Sequence, residues 1–425
     1  MPVMISKDQL KQALAEQREA ILQKPFGVER TALSHIGEKA KLPHIVVLTG
    51  LRRSGKSTLL RQLIKRQYHD KDFYYINFED ERLFNFQAEN FNIIYESLVE
   101  LFGEKKAFFI DEIQNVPNFE SFVRRFYDSG FKFFITGPSA RLLRKEIGTK
   151  LTGRHVDIIV RPFSFIEYLA LKDFAYDTFT ILKTSTRAGL KKHFARFLVE
   201  GGMPEYVQYN DPEILTRVYE DIIIKDIVVR YNIDGMKQLK ELYQYLITSV
   251  SQRFSYNSLK KFIAIHSANT IKKYIDYLEE TYFINQVSKF DYSLRKQLIN
   301  DKKIYVADNG FISKISIKFT KDDGWLLENL VFSELNKRGD VFYHSGKYEC
   351  DFIIVENKTV KEAVQVCWNL MQANREREIN GLLEAMDMFN LKTGLILTND
   401  QEEEIETNGK RIAVKPVWKW MLSSL

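Results

Sequence analysis

The stretch HIVVLTGLRRSGKSTLLRQL, residues 44–63, constrains this chain more than any other. HIVVLT is a short apolar run rich in β-branched residues and reads as a buried strand. It passes into Gly50-Leu-Arg-Arg53-Ser54-Gly55-Lys56-Ser57 and then into Thr58-Leu-Leu-Arg-Gln-Leu, whose spacing is helical. This is GxxxxGK[ST] in the strand–loop–helix setting that gives the pattern its meaning. Glycines permit the tight turn, the turn aims backbone N–H groups at phosphate oxygens, and the helix N-terminus adds its positive end. Gly50, Arg53, Ser54, Gly55, Lys56, Ser57 and Thr58 are therefore the candidate phosphate cradle. Lys56 is placed for the β- and γ-phosphates and Ser57 for Mg²⁺.

Four more apolar runs follow at 73–78, 106–111, 132–136 and 156–160, separated by helix-like stretches. That alternation predicts a parallel α/β sheet. Ala107-Phe-Phe-Ile-Asp111-Glu112 ends in two acids, Asp111 to hold Mg²⁺ and Glu112 to polarise the attacking water. One strand lies between the two motifs, as where the Mg²⁺ strand is not a neighbour of the first. Thr136 ends the next strand, placed either to sense the terminal phosphate or to satisfy backbone there. Arg154 and Arg161 flank the fifth strand. Each reads as an arginine finger, in cis or from a second copy of the chain, or as a surface ion pair. Asn77, Glu79, Asp80 and Arg82 cluster after the second strand and are expected on the site's side of the sheet.

With 425 residues the chain is too long for one ordinary domain, and 45% hydrophobic content is ample for packed cores. A net charge of +6 permits a nucleic-acid partner without requiring one. No apolar run approaches the roughly 18 residues needed to span a bilayer, and the N-terminus lacks a signal-peptide core. Two cysteines in so long a chain fit a reducing compartment. The expectation is a soluble cytoplasmic protein with no membrane partner.

GLRRSGKSTLLRQ, FFIDEIQNVPNFE, FFITGPSARLL, LTGR and RPFSFIEYL, in that order, resemble the prokaryotic AAA-like P-loop ATPases that carry a C-terminal PD-(D/E)XK nuclease-like domain of unknown function. The resemblance runs from about residue 40 to residue 370. It implies ATP as the nucleotide, hydrolysis as the reaction and Mg²⁺ as the metal. The implied fold is a P-loop NTPase parallel sheet followed by a helical lid, a winged helix and a C-terminal α/β restriction-nuclease-like domain. The expected divisions are a helical segment at 1–40, the ATPase core at 41–170, the lid at 171–235, the winged helix at 236–310 and the nuclease-like domain at 311–425.

Within the middle segment, residues 255–284 read as two helices joined by a tight turn. Leu259, Phe262 and Ile263 form one apolar face, and Ile271, Tyr274, Ile275 and Leu278 another. Ser258 and Ser267 are the expected N-caps. Asn269, Thr270, Lys272 and Lys273 lie on the opposite face near the start of the second helix, where a recognition helix meets bases. A hairpin carrying Arg295, Lys296, Lys302 and Lys303 suggests a wing. Winged helices also dock proteins, so DNA and a protein partner both stand. Five or six phosphate contacts would give a salt slope of about −5.

In the last hundred residues, a helix with Glu328 precedes strands with Asp351, Gln365 and Cys367. That is the order of the PD-(D/E)XK core, whose last strand reads Glu-x-Lys in active members. Gln365 has no charge for Mg²⁺, and a thiol with an ordinary pKa near 8.5 cannot replace an ammonium. Glu349, two residues before Asp351 and on the same strand face, with Lys347 two further back, would be a migrated replacement. Retained cleavage, a DNA-holding remnant and a purely structural sheet all remain open. Cys350 and Cys367 are expected as small core residues. The leading expectation is a DNA-associated ATPase. Its rivals are an ATP-licensed nuclease and an ATP switch acting on a protein partner.

Overall fold

Phe108 and Phe109 are consecutive on one strand, so their rings point to opposite faces of the sheet. Phe108 stacks on Phe133 with ring centroids 5.2 Å apart, and Phe109 on Phe134 at 4.5 Å. A sheet this apolar on both faces must be covered by helices on both, as parallel sheets are. The computed structural model describes residues 5–69, 71–84, 86–87, 90–137, 153–265, 267–317 and 323–423. It divides into two units, Met1–Arg161 and Pro162–Leu425.

The first unit holds strands β1 (Ile45–Thr49), β2 (Tyr74–Asn77), β3 (Ala107–Asp111), β4 (Lys132–Thr136) and β5 (His155–Ile159). All pairings are parallel and the order is β2-β3-β4-β1-β5. The five expected strands are present, and β4 lies between β1 and the acidic strand β3. One face is packed by α1 (Lys7–Gln23), α4 (Phe91–Phe102) and α5 (Glu120–Asp128), the other by α2 (Ala32–Ala40) and α3 (Lys56–Gln67). The amphipathic N-terminal helix opens on a capping box at Ser6 and buries Leu10, Ala13 and Leu14. Residues 138–152, which hold the end of FFITGPSARLL and the start of LTGR, lie outside the described residues.

In the second unit residues 165–248 form a series of helices joined by short loops, in keeping with the helical spacing of residues 162–230. Next come β6 (Arg253–Phe254), a short helix Tyr256–Leu259, α6 (Ala268–Glu280), β7 (Ile284–Ser288), α7 (Leu294–Ile299) and β8 (Lys302–Val306). The strands form a sheet of order β6-β8-β7. Helix α8 (Gly324–Leu335) leads into a six-stranded mixed sheet, β13-β14-β12-β11-β10-β9. Its strands are β9 (Asp340–Ser345), β10 (Glu349–Glu356), β11 (Thr359–Val366), β12 (Thr393–Thr398), β13 (Glu403–Thr407) and β14 (Lys410–Pro416), and α9 (Gln372–Met388) packs on it.

Several expectations need correction. The cap of the first helix is Ser255, and Ser258 is its capping-box partner at the third helical position. Ser267 does cap α6, accepting from the Thr270 N–H. Ile263 is buried, but Phe262 is 70% exposed because the helix ends at Leu259 and the chain turns before that ring reaches the core. The hairpin expected as a wing is not a plain one: Arg295 and Lys296 ride on α7, between the paired strands. Lys302 and Lys303 are buried rather than presented to solvent. The segments expected as separate domains at 236–310 and 311–425 share one core. Asn329 of α8 clasps Val306 of β8, accepting its N–H at 2.8 Å and donating to its carbonyl at 2.9 Å, while Phe332 stacks on Tyr305 at 4.3 Å.

Candidate functional site

At the loop after β1, two glycines are required by geometry. Gly50 has φ 140°, and a Cβ there would lie 2.1 Å from the Val160 carbonyl oxygen. Gly55, at φ 98°, is the residue that turns the chain into α3. The loop closes on itself through the Ser54 N–H to the Leu51 carbonyl at 3.1 Å. Arg53 takes a left-handed conformation at the exposed tip. Lys56 is buried, and its ammonium donates to the carbonyls of Gly50 at 3.1 Å and Leu51 at 3.2 Å. Ser57 is exposed and Thr58 half-buried at the first turn of α3. Ser54 is fully buried, and among the described residues its Oγ has no hydrogen-bond partner. A buried hydroxyl without a partner costs free energy on the order of 1–3 kcal/mol. The loop thus holds an unfilled donor beside a cation, which fits a phosphate ligand.

Strand β3 delivers Asp111 to the same, C-terminal, edge of the sheet. Thr136 on neighbouring β4 fixes both acids: its hydroxyl donates to Asp111 Oδ1 and accepts the Glu112 N–H at 2.9 Å. Its single proton is therefore directed at Asp111, and the hydroxyl ties β4 to both acids. Glu112 sits at φ 53°, ψ 48°, a left-handed conformation costing about 1–2 kcal/mol for a residue with a Cβ. Gln114 donates to its Oε2 at 2.5 Å. Ser57 and Asp111 carry oxygen donors of the kind that Mg²⁺ prefers.

Arg154 is corrected as a finger in cis. Its carbonyl accepts from Ile45, at the entering end of β1, whereas the loop leaves from Thr49. A five-residue strand spans roughly 16 Å at about 3.3 Å per residue. The Arg154 side chain pairs with Asp128 at 2.6 Å and covers the Tyr127 ring. Arg161 lies at the loop end instead. Asn77, Asp80 and Arg82 secure α1: Gln17 bridges Asn77 and Asp80, and Arg82 pairs with Glu16 and Asp80. Glu79 donates its N–H to Asn77 Oδ1.

Sequence reasoning missed Arg30. Its buried guanidinium donates to the Ser54 carbonyl at 2.8 Å and the Arg161 carbonyl at 2.6 Å, bracing the phosphate loop from behind. Gln62 of α3 laces the same segment down by accepting the Arg30 N–H and donating to Phe26 and Val28. A lone arginine in an irregular stretch carries no local signal, because its targets are carbonyls distant in sequence.

In the second unit a cavity of about 580 Å³ is lined by residues that include Arg253, Glu328, Glu349, Asp351, Gln365 and Glu378. The acids expected to converge do so, but Lys303 of β8 joins them. Its ammonium lies 2.6 Å from Glu349, 3.2 Å from Glu328 and 3.3 Å from Asp351. Arg253, opposite Lys303 on β6, also pairs with Glu349. Three carboxyls thus face two cations. Burial and the neighbouring Glu328 push Asp351 up to about 8. Against its own burial, Lys303 is held well above its ordinary value by Glu328 and the other acids.

Gln365 is spent on structure: its Oε1 accepts the Asp351 N–H at 3.1 Å and its Nε2 donates to Glu378 at 2.6 Å. Cys367 and Cys350 are free and buried in the core, and burial pushes the Cys367 thiol up to about 12. Among the described residues no group of three or more His, Cys, Asp or Glu is arranged to hold a metal ion. Lys347 lines the cavity but is not the lysine at its centre.

On α6, Asn269, Lys272 and Lys273 are exposed and Thr270 half-buried, as the helical spacing predicts. Lys302 donates to Ser288 Oγ and the Gln297 carbonyl, and burial together with nearby Lys272 lowers its pKa. Among the described residues no helix is long and apolar enough to cross a membrane.

Comparison with known proteins matches residues 42–169 to the family model of an AAA domain, and residues 191–322 to a domain of unknown function, DUF8612. The first domain is thus an AAA-like P-loop ATPase domain. The uncharacterized protein MJ1544 of Methanocaldococcus jannaschii is 38% identical over 402 residues, covering 89% of this chain and 88% of that protein. An uncharacterized protein of Haemophilus influenzae is 29% identical over 397 residues, covering 89% and 94%. Among solved structures, AMPPCP-bound DnaA from Aquifex aeolicus covers 59% of this chain and 87% of its own at 12% identity, with a TM-score of 0.25. The RuvB Holliday junction branch migration motor of Thermotoga maritima covers 67% and 90% at 16% identity, with a TM-score of 0.29. Scores this low leave the fold to the sheet order and the loop geometry.

Proposed function

We propose a function for a chain that belongs to the family of AAA-domain proteins that includes MJ1544 of Methanocaldococcus jannaschii: it binds and hydrolyses ATP at the loop after β1 and uses that cycle to act on DNA. The observation that carries the first half is the Lys56 ammonium resting on the carbonyls of its own loop, at the sheet edge where Thr136 holds Asp111 and Glu112. Lys56 exchanges those two neutral carbonyls for β- and γ-phosphate oxygens. The loop N–H groups and the start of α3 take the rest of the negative charge. Mg²⁺, held by Ser57 and Asp111, supplies charge neutralisation when bound. Glu112 accepts a proton from the attacking water as the bond between the γ-phosphorus and the ADP oxygen breaks. Arg30 keeps the loop in shape. Lys56→Ala removes nucleotide binding, whereas Glu112→Gln binds ATP and hardly turns it over. Normal turnover by Glu112→Gln would overturn the assignment.

The DNA half is supported by the order helix, strand, helix, helix, strand, short helix, strand across residues 236–306, which resembles a winged helix with α7 inserted in its wing, and by the exposed face of α6. With Lys302 and Lys303 buried, the cations that remain are Lys272, Lys273, Arg295 and Lys296. Four phosphate contacts give a salt slope of about −3.6, at roughly −0.9 per contact. Steady-state ATPase rates with and without single- and double-stranded DNA, across a salt series, test this reading.

A second reading has its own observation. Tyr292, Leu294, Leu298 and Ile299, on and beside α7, are 62–78% exposed. An apolar wing tip suits a protein partner better than a phosphate backbone. That reading predicts an ATPase rate indifferent to DNA and a salt slope near −1.

A further inference from the structure

We infer that the cation of the acidic pocket between β8, α8 and β10 is the Lys303 ammonium, and that this pocket takes no divalent metal. The likeness to PD-(D/E)XK nucleases implies Mg²⁺ among Glu328, Asp351 and the residue at 365, and the residues present do not fit it. The ammonium already lies within 3.3 Å of all three acids, Glu328, Glu349 and Asp351. Mg²⁺ asks for near-octahedral oxygen ligands at about 2.0–2.1 Å. Two cations cannot occupy one carboxylate set at contact distance without strong repulsion. The third ligand position is closed as well, since Gln365 has its oxygen on the Asp351 N–H and its nitrogen on Glu378.

Nor can Lys303 withdraw with a mobile loop. It sits mid-sheet, opposite Arg253 on β6 and Val287 on β7, with its side chain 3% exposed. Tyr305, two residues along on the same face, donates to Glu328 at 2.6 Å and stacks on Phe332. The lysine missing from the strand AVQVC has therefore been supplied from another sheet. It stands where the metal belongs rather than beside it. The inference is independent of the ATPase reading, which concerns other residues.

The test is a Mn²⁺ titration followed by electron paramagnetic resonance, on the full chain carrying Ser57→Ala and Asp111→Asn to silence the nucleotide site. That protein is expected to bind no Mn²⁺ at millimolar concentration. Adding Lys303→Met, which keeps the stem and removes the charge, is expected to create one Mn²⁺ site that Asp351→Asn abolishes. Mn²⁺ bound by the silenced protein and lost on Asp351→Asn would overturn the inference, as would a folded Lys303→Met protein with no gained site. If Lys303→Met does not fold, the titration of the silenced protein still decides.

Discussion

Two buried lysines, Lys56 and Lys303, each sit among functional-looking residues, and their surroundings differ in one respect. Lys56 donates to neutral backbone carbonyls, which a phosphate can outbid. Lys303 is enclosed by carboxyls and can leave only by stranding buried negative charge. The first arrangement is a site prepared for an anionic ligand. The second is already complete. A lysine's chemistry is thus set by what holds it when no ligand is bound, and the same residue type serves binding in one unit and cohesion in the other.

Substitutions can break that contrast. Lys56→Ala should abolish measurable ATP-analogue binding and turnover while leaving the melting temperature nearly unchanged. Glu112→Gln should lower kcat by about 10²–10⁴ with analogue affinity retained, as expected for a lost general base. Lys303→Met should do the reverse of Lys56→Ala. It should leave nucleotide binding intact and cost the second unit about 3–5 kcal/mol in denaturant unfolding, the usual penalty for breaking a buried ion set from one side. Pairing it with Glu328→Gln should recover part of that loss, because fewer uncompensated charges remain. Arg30→Lys keeps the charge but not the fork that reaches two carbonyls. It should weaken nucleotide binding about tenfold, or about 1.4 kcal/mol.

The smallest expected effect sharpens the comparison by pH. Asp351 is pushed up to about 8 by burial and by Glu328. A raised carboxyl favours the folded state fully below its unfolded pKa of 3.8, and that contribution is lost as pH rises through about 8. Asp351→Asn should therefore flatten the decline in second-unit stability between pH 4 and pH 8. A curve parallel to that of the unsubstituted chain would show that Asp351 is ionised throughout.

Local pattern explains why the nucleotide site was legible. The loop, its glycines and the acid pair are each contiguous, and the sheet order follows from parallel strands with helical crossovers. Thr136 was legible as a strand-end hydroxyl that satisfies backbone, which it does at the Glu112 N–H, but its bond to Asp111 was not, since that partner lies on the adjacent strand β3. Of the readings open for Arg154, the ion pair is the one present, with Asp128, because the residue before β5 in a parallel sheet lies at the edge opposite the loop. Phe262 failed for a different reason: helical periodicity was extended past the point where the helix ends.

By itself the sequence determined a P-loop α/β sheet, the position of the loop Gly50–Thr58 after β1, that of Asp111 and Glu112 at the end of β3, and the lack of a Glu-x-Lys pattern at Gln365 and Cys367. Those features are carried by residues close in the chain, where steric and hydrogen-bonding rules act locally. Only the tertiary structure decided that Arg30 braces the loop, and that 236–310 and 311–425 share a core. It also decided that Lys303 belongs to an acidic pocket and not to a DNA-facing wing. In each case the deciding energy is the burial of charge, which depends on partners that folding brings from elsewhere in the chain.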